Sequence, residues 1–301
     1  MSSQRAAAFV PGHITAFFSA HPADRPAHAG SRGAGLTLTD GVTTRVSATN
    51  ASDGGVSPPT RTVDGTRVTI DAIDVVLAEL GLDPAAVSVA VDTEVPIGAG
   101  FGVSGAAALG TAIAANDAFN CGRSENDLIR IAHVAEVRCG TGLGDVVAQA
   151  RGGVPIRLAP GAPGIGTLDG IPTRTRVEYV PFGELSTETV LDGDTDTLSA
   201  AGEAALDTVR ADPRLSTLMT AARSFARNAD LLVPKVDEAI TAVADVQTDS
   251  DDGAAMAMLG RTVFALETGL SDAGYEPAVC QTHPGGAQLV ESTTGPDSQP
   301  P

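Results

Sequence analysis

Pro96-Ile-Gly98-Ala-Gly100-Phe-Gly102-Val103-Ser104-Gly105-Ala106-Ala-Ala108 puts four glycines into eight residues and then opens an alanine-rich run. Glycine lets a backbone approach a ligand closely and turn its N–H groups toward it. The first turn of a helix adds unpaired N–H donors and the positive end of the helix dipole. Together they make an anion site, most often for phosphate. Ser104 stands where the loop becomes the helix, so its hydroxyl either caps the helix or faces a metal bound to phosphate. The bland reading is a tight strand-to-helix turn with a serine cap. Two named patterns can be tested here. GxxxxGK[ST] fails, because the only lysine is Lys235. GxGxxG is matched by Gly100-Phe-Gly-Val-Ser-Gly105, but Asp92 to Ala99 separates it from the preceding strand. The acidic residue due about 20 positions on would be Glu125, which starts a helical segment instead of ending a strand. A dinucleotide oxidoreductase is therefore the weaker reading.

The second informative stretch is Ala132-His133-Val-Ala-Glu136-Val-Arg138-Cys-Gly140-Thr-Gly142-Leu-Gly144-Asp145-Val-Val-Ala-Gln149. A helical carboxylate, a glycine-rich break and a second carboxylate follow in quick order. Phosphoryl transfer to a hydroxyl needs hard oxygen ligands for Mg²⁺. It also needs a carboxylate for the hydroxyl proton and backbone donors on the phosphates. Glu136 and Asp145 supply the carboxylates, and the first loop supplies the donors. Alone, Glu136 reads as a surface ion pair and Asp145 as a helix cap.

Outward from this centre the N-terminal side is β-rich. Arg5 to Ser19 is apolar and β-compatible. Leu36 to Val46 alternates on both sides of Asp40-Gly41 and predicts a hairpin there. Residues 50–60 read as a surface loop, and Asp64-Gly65 offers a second hairpin. Helices are predicted over 70–81, ended by Gly81, over 104–119, from Ser124 to about Arg138, and over 145–150. Val87–Val91 alternates as a strand. From 152 to 182 the chain turns glycine- and proline-rich, with strand-like runs at Val154–Leu158 and Arg176–Phe182. A domain boundary is expected near 165, giving units 1–165 and 166–291. The second unit reads as mostly helical: 197–211, 214–229, 233–247 and 253–271. Ala278–Thr282, the turn His283-Pro-Gly-Gly286 and Ala287–Glu291 close it. The polar tail 292–301 reads as disordered.

Composition narrows the class. In 301 residues, Lys plus Arg is 19 and Asp plus Glu is 37, a net charge of −18. Such a surface repels nucleic acid and anionic lipid. No apolar run approaches the roughly 20 residues of a membrane span. The N-terminus lacks a signal-peptide core, so a cytoplasmic protein is expected. Cys121, Cys139 and Cys280 include no CxxC pair, which argues against a disulfide scaffold or structural zinc. Lysine is nearly absent, aspartate exceeds glutamate, and tryptophan is missing. That pattern fits work in concentrated salt, where screening tolerates high net charge.

These residues resemble a family. Pro96 through the alanines is similar to the phosphate-binding motif of the GHMP kinases. Pro11-Gly12 resembles their N-terminal Pro-Gly motif, and Glu136 followed by Gly-Leu-Gly-Asp145 resembles their metal-binding glutamate and catalytic aspartate. The wording of Pro11-Gly-His13-Ile-Thr-Ala-Phe-Phe18, Gly30-Ser-Arg32-Gly-Ala-Gly35 and Thr141 to Gly153 is most similar to the archaeal pantoate-kinase branch. There are departures: His13 stands where many members carry Lys or Arg, Val103 replaces the first serine of a Ser-Ser pair, and the C-terminal glycine motif is reduced to His283-Pro-Gly-Gly-Ala287.

The resemblance implies a two-domain α+β fold. Its N-terminal unit would be β-rich and αβ, its C-terminal unit mostly helical, with the active site between them. It implies ATP- and Mg²⁺-dependent phosphorylation of (R)-pantoate to 4-phosphopantoate in coenzyme A synthesis. By carry-over, Pro96, Gly98, Gly100, Gly102, Val103, Ser104, Gly105 and Ala106 would bind ATP. Ser104 and Glu136 would hold Mg²⁺, and Asp145 would orient or deprotonate the hydroxyl. Pantoate is an anion, so an arginine should meet its carboxylate. Arg32, in a glycine-flanked loop, is the first choice and Arg157 the second, with His13 also at the substrate. The alternatives are mevalonate, homoserine or shikimate as acceptor, or a non-catalytic sensor. Expected partners are small molecules, not nucleic acid or membrane, with a homodimer left open.

Overall fold

The computed structural model describes residues 4–49, 51–52, 55–56, 59–183, 195–246, 253–257 and 261–293. The first strands are β1 (Arg5–His21), β2 (Gly30–Ala48), the two-residue pair β3 (Ala51–Ser52) and β4 (Gly55–Val56), β5 (Arg61–Val63), β6 (Thr66–Arg67) and β7 (Val87–Thr93). Helix α1 (Asp71–Glu79) lies between β6 and β7. Helices α2 (Val103–Ala118), α3 (Glu125–Cys139) and α4 (Asp145–Arg151) follow, then β8 (Val154–Ala159), β9 (Thr167–Ile171) and β10 (Arg176–Pro181). The last part holds α5 (Thr195–Ala211), α6 (Leu215–Asn228), α7 (Pro234–Val246), β11 (Ala255–Ala257), β12 (Thr262–Leu266), α8 (Gly269–Asp272), β13 (Ala278–Gln281) and β14 (Gln288–Thr293).

An eight-stranded sheet runs in the order β14-β1-β2-β7-β5-β6, with β8 and β9 branching from β2. A four-stranded sheet runs β11-β12-β10-β13. Strand β1 is apolar and buried along almost its whole length, because both of its faces are covered. Its first half packs into a core with α1, α2 and α3. Its second half joins a core with α5, α6 and the smaller sheet. Helix α2 is buried nearly all round, and its alanines and glycines let it lie close on the sheet. A Cβ at Gly110 would come within 2.6 Å of Thr44 Oγ1. The fold is thus α+β, as expected.

The Asp40-Gly41 hairpin does not form. Strand β2 runs straight through, pairing β1 from Arg5↔Ser47 to His21↔Gly30. Pro11 faces Gly41 and His13 faces Thr37, so Leu38 to Asp40 oppose Gly12 alone. The extra residues make a bulge that bends both strands. A Cβ on Gly41 would collide with Val10 O, so the glycine serves close approach instead of reversal. The Asp64-Gly65 hairpin does form, with φ of 47° and 76°. The expected helix over 253–271 is also overturned: β11 and β12 occupy it, and among the described residues there only Gly269–Asp272 is helical. Every residue of both strands is buried, and a run covered on both faces carries no alternation to separate strand from helix. Strand β9 was not anticipated. Ser292 and Thr293 belong to β14, and the rest of the expected disordered tail lies outside the described residues. Part of the 50–60 loop lies outside them too.

Candidate active site

The glycine loop leaves β7 and enters α2 along the wall of a cavity of about 610 Å³. Gly98, Gly100 and Gly102 have φ of 73°, 90° and 65°, the left-handed region open to glycine. Gly102 is the N-cap of α2 and no side chain caps the helix, which leaves its first N–H groups to a ligand. Gly98, Gly100, Gly102, Val103, Ser104 and Gly105 line the cavity; Pro96 and Ala106 do not. Ala106 N donates to Gly102 O at 3.0 Å. The one parallel pair among the described strands, β5–β7, precedes the loop, and β8, the next strand after α2, pairs antiparallel with β2, so the dinucleotide-fold reading has no parallel β-loop-α-β unit built on this loop.

Ser104 does not cap its helix. Its hydroxyl donates to Glu136 Oε1 at 2.7 Å, and Thr141 Oγ1 donates to the same oxygen at 2.9 Å. Helix α3 starts on Ser124, as expected, and ends on Gly140 at φ 69°. It carries Glu136 inward, where 2% of the residue is exposed. A Cβ on Gly142 would stand 2.8 Å from Glu136 Oε2, so glycine there keeps room at the second oxygen. Burial pushes the Glu136 carboxyl up to about 7, Asp145 adds to this, and the Ser104 and Thr141 hydroxyls oppose it. This all-oxygen set suits a hard cation shared with phosphate oxygens.

Asp145 opens α4 on the cavity floor, its side chain 24% exposed. His13 Nδ1 lies 2.7 Å from Asp145 Oδ1, and Thr15 Oγ1 lies 3.4 Å from it. Burial pulls the Asp145 carboxyl up. The His13 hydrogen bond, the charge of Arg157 and the Thr15 hydroxyl outweigh that and bring it below the ordinary value. Arg157 rises from β8 and is 2% exposed. A Cβ on Gly144 would sit 2.8 Å from its Nε. Its Nε and one terminal nitrogen have no hydrogen-bond partner among the described residues. Burial pushes the guanidinium down, and Asp145 opposes that.

Arg32 lies elsewhere. It pairs with Glu203 on α5 and donates from Nε to Leu158 O at 2.9 Å. Glu203 also meets Ser19 Oγ at 2.5 Å and His21 Nε2 at 3.1 Å. His133 is a packed histidine, its Nε2 2.9 Å from Ala29 O. The His283-Pro-Gly-Gly286 turn closes against the end of α4: Gly153 N donates to His283 O at 2.7 Å, and Ala287 N to Gln149 O at 3.2 Å. The far end of the cavity is formed by Val68, Thr69, Ile70 and Asp71, with Ile97 and Cys139. No local motif marked Val68 to Asp71; they arrive through the turn after the β5–β6 hairpin and the start of α1.

Residues 67–153 match the family model described as GHMP kinases N terminal domain. The chain is 35% identical over 267 residues to the pantoate kinase of Thermococcus kodakarensis, covering 86% of each. It is 34% identical over 269 residues to the pantoate kinase of Methanospirillum hungatei, covering 88% of this chain and 89% of the relative. A solved phosphotransferase related to the CoA biosynthesis pathway matches with TM-score 0.80 at 30% identity, over 95% of this chain and 98% of that one. A homoserine kinase from Cytophaga hutchinsonii shares the fold at TM-score 0.64 and 16% identity, over 95% of this chain and 98% of that one. Related over most of its length to known kinases, and carrying a glycine loop that faces the buried Glu136 and the half-buried Asp145, the chain belongs to the GHMP kinase family.

Proposed function

We propose that the protein transfers the γ-phosphate of ATP to the hydroxyl of pantoate, giving 4-phosphopantoate for coenzyme A synthesis. The observation that carries this is the kinship with pantoate kinases over most of the chain, and Arg157 fits it: a buried guanidinium beside Asp145, behind the cavity lining, with two nitrogens unpartnered among the described residues. A carboxylate satisfies such a fork bidentately. Its neighbour Asp145 then lies where the same substrate presents its hydroxyl. Asp145, held ionised, orients that hydroxyl and takes its proton. Loop N–H groups from Gly98 to Gly105 hold the phosphates. Ser104 and Glu136 would hold Mg²⁺, which neutralises charge on the transferred group. Arg32 keeps its place as a further substrate residue in this proposal, behind Arg157 because Glu203 already engages it; His13, buried behind Asp145 and outside the cavity lining, is not given a substrate contact.

A cytoplasmic location is supported by three free cysteines, and no helix among the described residues is long and apolar enough to cross a membrane. The acid excess supports work in concentrated salt. A division is supported by the second sheet, which begins with β10; because β9 and β14 stay with the first sheet, we move the boundary from 165 to between Ile171 and Arg176. Exposed Leu289 and Val290 on edge strand β14 support a homodimer. The test is ADP release in concentrated KCl with pantoate, mevalonate, homoserine and shikimate in parallel, with and without Mg²⁺. Turnover with pantoate is expected to dominate. Preference for another of the four overturns the acceptor, and ATP binding without turnover on any of them favours a sensor.

A further inference from the structure

His13 is fully buried, with 0% exposure, and does not line the cavity that Asp145 and Thr15 face. Its ring meets Asp145 through Nδ1 at 2.7 Å, across 132 residues of sequence. Its main-chain N–H donates to Phe101 O at 3.0 Å, inside the glycine loop. One residue therefore ties β1 both to the phosphate loop and to the acceptor-side carboxylate. The other ring nitrogen, Nε2, has no partner among the described residues and points at Gly35, where a Cβ would stand 2.5 Å away.

An ionised carboxylate only accepts, so the ring proton sits on Nδ1. A second proton on Nε2 would be an unpaired charged donor in a closed space, which burial disfavours. We propose that His13 is a positioning residue of the phosphoryl-transfer centre: as the neutral Nδ1–H tautomer it fixes the Asp145 carboxylate toward the cavity, and it does not touch the acceptor. This rests on the kinase reading above and replaces the substrate contact that the sequence led us to expect of His13. The donor is neutral, so it sets direction without lending Asp145 a full counter-charge; Arg157 supplies that.

Two variants and one spectrum test this. His13→Asn keeps an N–H near Nδ1, and His13→Leu removes it. Both are read on whichever of the four acceptors the wild type phosphorylates. His13→Leu is expected to lose about 100-fold in kcat, the scale of a small misplacement of reacting groups, with KM for ATP and acceptor unchanged. His13→Asn is expected to recover most of the loss. Nitrogen NMR of the wild-type protein should show Nδ1–H on His13, and the signal should shift in Asp145→Asn. A raised acceptor KM with kcat intact, equal loss in both variants, or an Nε2–H tautomer each overturns the proposal. If His13→Leu does not fold, the asparagine variant and the spectrum still decide. Failure of pantoate alone overturns the acceptor assignment, and the spectrum still decides the role of His13.

Discussion

At Asp145 burial pulls against hydrogen bonds and one buried cation, and the partners win. His13, Thr15 and Arg157 surround a carboxylate that burial alone would neutralise. Asp145→Asn keeps the shape and removes the group proposed to take the hydroxyl proton. Turnover is expected to fall about 10²–10⁴-fold, the usual range for a positioned base, with thermal melting unchanged. Near-normal turnover would reduce Asp145 to a helix cap. The two arginines separate in the same way. Arg157 has free donors, so Arg157→Met is expected to raise acceptor KM strongly and ATP KM little. Arg32 is already engaged by Glu203 and Leu158 O, so Arg32→Met is expected to lower stability more than acceptor affinity. The reverse pattern would move the carboxylate site to Arg32. The carboxylates and the glycine loop were legible in the sequence, because backbone conformation and ligand charge constrain residue type locally. The His13–Asp145 pair and the isolation of Arg32 were not. Both depend on which strands and helices meet across more than a hundred residues.

Glu178 shows how an element holds its neighbour. It lies on β10, fully buried, and accepts from Ser271 N at 2.9 Å, Ser271 Oγ at 2.6 Å and Arg176 at 2.8 Å. It thereby fastens the short helix α8 to the smaller sheet. Burial raises its carboxyl, and the Ser271 and Arg176 contacts together bring it below its usual 4.5. A depressed acid stabilises the fold above its unfolded value and loses that contribution as pH falls through the folded one. Wild-type stability should therefore drop below about pH 4.5, and Glu178→Gln should flatten that part of the profile. At neutral pH the variant should lose about 1–3 kcal/mol in denaturant unfolding, the cost of a broken hydrogen bond to a buried charge. A wild-type acid limb shared unchanged by the variant would assign it to other carboxylates. Elements ended by local chemistry were readable: α1 before Gly81, α3 between Ser124 and Gly140, and the Asp64-Gly65 turn. The bulge at Asp40-Gly41 was read as a hairpin because the same dipeptide serves both, and only the partner strand decides. The strands at 255–266 were read as helix because burial on both faces erased their alternation.

Across the whole molecule the dominant fact is a net charge of −18 on 301 residues. Several arginines sit beside acids: the half-buried Arg61 with Asp74 at 2.7 Å, and the exposed Arg138 with Glu79 at 2.6 Å and Arg214 with Asp212 at 2.5 Å. Exposed pairs of this kind contribute little each, about 0–1 kcal/mol. They leave an acid excess with no cationic partner to balance it, so folding gathers like charge. Salt has two opposed effects on such a surface. It weakens the pairs, and it screens the repulsion, whose range falls from about 10 Å at 0.1 M to about 3 Å at 1 M. The repulsion is summed over many charges and the pairs are few, so screening should win. The melting temperature is therefore expected to rise steadily with KCl, by roughly 2–4 °C for each kcal/mol of repulsion removed. Helix α7 lets the cause be checked. It bears exposed Glu238 and Asp245, and no basic residue in its last turn. Glu238→Gln with Asp245→Asn removes two charges far from the cavity and should reach a given melting temperature at lower KCl than the wild type. A wild-type melting temperature that stays flat or falls with KCl would mean the pairs outweigh the repulsion. An equal shift in both proteins would mean that salt acts through apolar burial instead of charge.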